Sequence, residues 1–276
     1  MQDAQASVFY RIPLVGGITD YPDFYRENKA QSICCAIDRY LHISITSNEH
    51  GGVTIESKAD LPWEIGLGSS GAFFSALVSA LAKSKNQKLS RLVIAGLAYE
   101  LETGLEKNAT GKQDSLACLC EGISRISYLQ DDSVTVDKLN IPPGWENTLS
   151  SRLLLFDTGV RRRARDSIND ILSRKNTILL KEIAKLPDRL VQAWKAYDFD
   201  FLGTALDLQE QYRGELSPTC RSHQTDRLLG IARECGAGAR LTGAGLGSLL
   251  CYCSEGKQQE LRERLKLPEI KFSILW

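Results

Sequence analysis

Hydrophobic and polar positions divide the chain into segments that predict its elements. Apolar, β-branched and aromatic residues dominate Val8 to Val15 and again Ser32 to Ile45, so two strands are expected, joined by the turn-rich stretch GGITDYPDFYREN (16–28). Val53 to Ser57 adds a short strand. After Pro62 and the glycines at 66, 68 and 71, the run AFFSALVSALAK reads as a buried helix entered through a glycine loop. Leu89 to Glu102 is a second helix, and Leu116 to Leu129 alternates around Gly122. Pro142, Pro143 and Gly144 make the clearest break, which predicts lobes of residues 1–145 and 146–276. Beyond it come the strand RLLLFDTG, amphipathic helices at Arg163 to Leu186, Asp188 to Tyr197, Phe201 to Arg213 and Ser222 to Cys235, the strand-turn-strand AGARLTGAGLGSLLCYC, and a last helix at Lys257 to Leu265.

Composition narrows the class. With 276 residues, 43% hydrophobic and 25% charged, the chain can bury a substantial core. Its 34 Lys and Arg balance 34 Asp and Glu, which removes the electrostatic attraction that nonspecific nucleic-acid or membrane binding relies on, so small-molecule partners are expected. The start MQDAQASVFYRIP has no secretory pattern and no run reaches membrane-spanning length, which predicts a cytoplasmic protein. The eight cysteines lack a CxxC pair and are expected to be buried, reduced thiols. His42, His50 and His223 are isolated and suggest neither a metal site nor a nucleophile dyad.

The strongest chemical signal is Gly66-Leu67-Gly68-Ser69-Ser70-Gly71-Ala72, directly before the apolar helix. Such a loop can turn several backbone N–H groups toward one point, and a helix N-terminus adds partial positive charge, so it suits a phosphate chain; a tight turn before a packed helix is the plain alternative. A Walker A loop is excluded, because Ala72 and Phe73 stand where Lys and Ser or Thr are required, and Gly111-Lys112 is followed by Gln113. No GxGxxG follows the first strand, which argues against a dinucleotide-binding dehydrogenase.

RIPLVGGITDY (11–21), GLGSSGA (66–72) and LTGAGLGS (241–248) occur in the order of the three motifs of the GHMP kinases, and the chain resembles that superfamily over nearly its whole length. GKQDSLACLCEGI and LLLFDTGVRRRARDSI are similar to segments of its heptose 7-phosphate kinases, while the first motif looks like that of galactokinase. The resemblance implies an α/β fold of two lobes, an α+β arrangement whose N-terminal lobe has a ribosomal-protein-S5-like β-α-β unit and whose C-terminal lobe is ferredoxin-like. It implies ATP along Gly66 to Ala72 and a sugar between the lobes.

By the same resemblance, Asp114 accepts or orients the proton of the attacking hydroxyl and Arg11 polarises that site, roles that suit a reaction needing a positioned nucleophile more than a strong base. Ser70 and Glu102 match the magnesium ligands, a sparse oxygen pair of the kind Mg2+ takes alongside phosphate and water. Glu100, two residues away, is the rival to Glu102, and only one of them can face inward. Asp20, with Gly17 and Thr19 beside it, matches residues that contact sugar hydroxyls. Gly243, Ala244, Gly245 and Gly247 would support the phosphate loop. Arg161 or Arg162 would hold a phosphate already on the acceptor, or simply begin a solvated helix. The implied function is transfer of the ATP γ-phosphoryl group to a sugar hydroxyl, the anomeric hydroxyl of heptose 7-phosphate or a similar aldose, with a kinase for another sugar or cyclitol (galactose- or fucose-like) and a non-catalytic nucleotide- and sugar-binding sensor as the alternatives. Homodimerisation is left open.

Overall fold

The computed structural model of the chain describes residues 2–47, 52–106, 110–161, 168, 170–171, 174, 176–243 and 247–276. It opens with two long antiparallel strands, β1 (Ala4–Val15) and β2 (Ala30–Ser47), paired from Ala4 with Ile45 to Val15 with Ile33. The connection holds the short helix α1 (Pro22–Tyr25). Strand β3 (Val53–Ala59) pairs with the second half of β2. Strand β4 (Ile123–Tyr128) pairs with its first half, and β5 (Val134–Lys138) pairs with β4. The sheet order is β1-β2-β4-β5, with β3 also on β2.

Helix α2 (Ser69–Ser84) lies on this sheet through Ala72, Ala76 and Ala80, four residues apart and buried among Ile12, Leu14 and Ile33. Small side chains on one face bring the helix close to the strands, so the loop that begins it stands over the end of β1. Helix α3 (Arg91–Glu106) packs on α2, and the short helix α4 (Gln113–Ala117) fits beside both. The segment Leu116 to Leu129, expected to alternate around Gly122, holds the end of α4 and the whole of β4. Gly122, at φ +74°, makes the turn between them.

The second half begins with α5 (Trp145–Arg152) and β6 (Leu153–Asp157), followed by α6 (Thr177–Lys195), α7 (Phe201–Leu216), a 3₁₀ turn (Pro218–Cys220) and α8 (His223–Glu234). Strands β7 (Ala237–Leu241) and β8 (Ser248–Cys253) then complete an antiparallel sheet of order β6-β8-β7, and α9 (Gln258–Leu265) closes the chain's helices. The expected break at Pro187 does not occur, because α6 runs through it. Proline removes one helical hydrogen bond, but Leu180, Ile183, Leu186, Leu190 and Trp194 bury one face on both sides of it, and that burial holds the helix together.

The two sheets fall on either side of the break at 142–144, yet the largest apolar core crosses it: Ile12, Ile33 and Ala76 share a cluster with Leu190, Leu202, Leu206 and Leu250. The C-terminal tail also returns to the first sheet, where Leu275 N–H donates to Ala36 O at 3.0 Å. All eight cysteines are free and buried. No helix among the described residues is long and apolar enough to cross a membrane.

Candidate active site

The end of β1, the N-terminus of α2 and the first turn of α4 meet at Arg11. Its side chain is 3% exposed; Nη1 donates to Gly66 O at 3.1 Å and Nε to Asp114 Oδ1 at 3.1 Å, with Nη2 adding a second contact to the same oxygen. Burial alone would lower this guanidinium's pKa, and the facing Asp114 charge reverses the effect, so the cation is secure. Both Arg11 contacts fall on Oδ1, and the Asp114 side chain remains 34% exposed. The carboxylate is thus fixed at one oxygen and accessible overall.

Gly66 to Gly71 forms the loop into α2. Gly68 is the N-cap residue, at φ +79° with no side-chain cap, so the first N–H groups of a 16-residue helix are not covered by a capping side chain. Behind the loop stands the third glycine-rich segment. Thr242 Oγ1 and Ser248 Oγ donate to Ile65 O at 3.1 and 2.9 Å. A Cβ on Gly66, at φ +78°, would meet Thr242 O at 2.5 Å, so only glycine allows the two backbones this close. Gly243 and Gly247 make the same contact from the other side, against Gly66 and Ile65. Ala244 and Gly245 lie outside the described residues.

Asp20 is 5% exposed and grips the segment that carries Asp114: its Oδ2 accepts Gln113 N–H at 2.9 Å, and its backbone oxygen accepts Lys112 N–H at 3.3 Å. Burial, aided by the Asp114 charge, pushes its pKa up to about 6 against the pull of the Gln113 N–H and Arg11. A folded-state pKa above the ordinary 3.8 means that the ionised form opposes folding above about pH 6, and that this opposition fades as pH falls toward 3.8. Asp20→Asn is therefore expected to raise stability near pH 7.5 by on the order of 1–3 kcal/mol. The gain should shrink to nothing by about pH 4; thermal melts of both proteins across that range check it, and a gain that does not change with pH would contradict it.

Of the two rival glutamates, Glu102 is 4% exposed on the inner face of α3 and Glu100 is exposed. Burial raises the Tyr21 hydroxyl's pKa well above its usual value, and the charges of Asp20, Asp114 and Glu102 add to the rise. Ser70, half-buried, is in the first turn of α2, which packs on α3. The side chains of Glu102 and Ser70 are both hard oxygen donors, the type magnesium takes alongside water and phosphate oxygens. No cluster of three or more His, Cys, Asp or Glu able to hold a metal by itself exists among the described residues.

Other expected residues are placed differently. Thr19 is fully buried and its hydroxyl donates to Gly16 O at 2.8 Å, so it braces the turn that carries Asp20. Arg161 forms a two-pronged ion pair with Asp157 at 2.7 and 2.6 Å. Arg162 lies outside the described residues. The sequence also concealed two supports of the Asp114 segment. Gln113 is 5% exposed, and Lys112 lies over the rings of Tyr25 and Tyr99 (4.9 and 5.7 Å) while its Nζ donates to Asp132 O at 2.6 Å. Their position beside Asp114 was the only signal.

Residues 28–122, which include the loop, Glu102 and Asp114, match the model of the GHMP kinases N terminal domain. The chain is 28% identical over 225 residues to a bifunctional fucokinase/GDP-fucose pyrophosphorylase of Arabidopsis thaliana, covering 78% of this chain and 21% of that protein. It is 26% identical over 208 residues to a D-glycero-alpha-D-manno-heptose 7-phosphate kinase of Campylobacter jejuni, covering 72% and 60%. The matched stretches are thus less than two thirds of either relative's length. Among solved structures, a D-glycero-D-manno-heptose 1-phosphate kinase from Bacteriodes thetaiotaomicron superposes with a TM-score of 0.81 at 16% identity, covering 99% of this chain and 96% of that one. The fold is the two-lobed α/β fold of the GHMP kinases.

Proposed function

We propose that the chain is an ATP-dependent small-molecule kinase that transfers the γ-phosphoryl group to a sugar hydroxyl, the anomeric hydroxyl of a heptose 7-phosphate or a similar aldose. The observation that carries this is Arg11, one guanidinium joined both to Gly66 O of the phosphate loop and to Asp114 Oδ1. It fixes the separation of the phosphate cradle and the carboxylate that receives the acceptor's proton. In the transfer, the acceptor oxygen bonds to the γ-phosphorus, the bond from that phosphorus to the ADP oxygen breaks, and the hydroxyl proton passes to Asp114. Such a reaction needs alignment and charge stabilisation more than base strength, which is what a carboxylate held by a buried guanidinium supplies. Magnesium, held by Ser70 and Glu102, would neutralise charge on the phosphates. Glu102→Gln is expected to raise the magnesium concentration for half-maximal turnover by about tenfold. An unchanged requirement in a magnesium titration would remove Glu102 from that role.

A second acceptor class has an observation of its own in favour. Arg161, one of the two arginines offered as an anchor for an acceptor phosphate, is already paired with Asp157, which favours an acceptor without a phosphate, such as a fucose- or galactose-like sugar. ADP release from magnesium-ATP across heptose 7-phosphates, hexoses, hexose phosphates, fucose and cyclitols separates the two. Silence across the whole panel with ATP still bound would favour a sensor.

A further inference from the structure

One face of α7 holds the first and third glycine-rich segments together. Gln209 is fully buried; its Oε1 accepts Gly16 N–H at 2.9 Å and its Nε2 donates to Gly17 O at 3.3 Å. A carboxamide joined to both a backbone N–H and a backbone C=O does what a neighbouring strand's peptide would do, and it does so just after β1 ends at Val15. The next residue, Glu210, is also fully buried. Its Oε2 accepts Leu241 N–H at 2.9 Å, and its two oxygens take Arg213 Nη2 at 2.9 and 2.8 Å. Arg213 Nη1 then donates to Gly243 O at 3.2 Å.

A buried ion pair is costly to desolvate and often contributes little net stability, so its retention asks for another explanation. Here both charges end on backbone atoms of the third segment, whose Gly243 rests on Gly66. Gln209, one residue before Glu210, ends on the turn that leads to Asp20. Thr19, bonded to Gly16 O, continues that chain of contacts.

We infer that α7 is a positioning element: Gln209 sets the Gly16–Gly17 turn and through it Asp20, while Glu210 and Arg213 set Gly243 and through it the phosphate loop. The acceptor side and the phosphate side of the site are thereby held in register from a single helix. The assignment of Asp20 to the acceptor side rests on the proposed kinase function; the mechanical coupling does not.

Gln209→Met, nearly the same size but unable to make either bond, separates positioning from packing. Amide hydrogen exchange is expected to quicken about tenfold or more at Gly16 to Asp20 and to stay unchanged in the β2 and β4 strands. With the acceptor found by the panel, its KM should rise about tenfold while the KM for ATP stays within about twofold, since only the acceptor turn is loosened. Should Gln209→Met fail to fold, Gln209→Glu keeps an acceptor for Gly16 N–H and removes the donor to Gly17 O. It is expected to leave the Gly16 amide protected and still raise the acceptor KM. Unchanged exchange at Gly16 in Gln209→Met, or the two KM values rising together in either variant, would overturn the inference. The exchange measurement needs no acceptor, so it stands if the kinase proposal fails.

Discussion

Asp114→Asn protein is expected to bind ATP as tightly as the native chain and to turn over about a thousandfold more slowly. Asparagine has the same shape, and its carbonyl oxygen can still accept from Arg11, so the Arg11 bridge to Gly66 O should survive. What is lost is the capacity to take the acceptor's proton, together with the negative charge that orients the hydroxyl. ATP affinity from calorimetry and turnover from ADP release check the two halves separately. Turnover within about tenfold of native would remove Asp114 from the chemistry.

Gly71→Ala should be strongly damaging although it alters no functional group. Gly71 lies in the first turn of α2, where helix propensity alone favours alanine by about 1 kcal/mol. Against that, the new Cβ would sit 2.6 Å from Asp114 Cβ and 2.7 Å from the backbone of Asp114 and Ser115. Those atoms belong to α4 and cannot rotate away, so the segment itself must move. Overpacking of this kind costs about 1–3 kcal/mol, which outweighs the propensity gain. A displacement of even about 1 Å can cost a hundredfold in rate. The expected result is a lower melting temperature with turnover down about a hundredfold and ATP affinity nearly intact. A variant that is more stable and fully active would show that the contact between α2 and α4 does not position Asp114.

Sequence patterns placed most elements because apolar periodicity and glycine breaks are local signals. Val8–Val15, Ser32–Ile45 and the alanine-rich helix after Gly71 lie within β1, β2 and α2. Pro187 misled because its local rule was overridden by burial on both sides of it, a tertiary effect. Leu116 to Leu129 was legible as alternation broken at Gly122, but alternation did not show that Leu116 and Ala117 end a short helix. The choice of Glu102 over Glu100 as the inward-facing residue agrees with the burial. Gln209, Glu210 and Arg213 were invisible as site supports, since three polar residues on an amphipathic helix look like its solvent face. They are buried only because backbone atoms of Gly16, Gly17, Leu241 and Gly243, remote in sequence, satisfy them. Arg161 shows the converse, since Asp157 stands four residues before it in the sequence, yet only the fold shows that the two form an ion pair.

The most direct test of the central claim follows the phosphoryl group itself. ATP labelled at the γ-phosphate is incubated with magnesium, the protein and each sugar of the panel, and the label is traced. The account predicts label in one sugar class, equal in amount to the ADP formed and absent with Asp114→Asn protein. ADP formed at one rate with or without a sugar, with all label in inorganic phosphate, would contradict it.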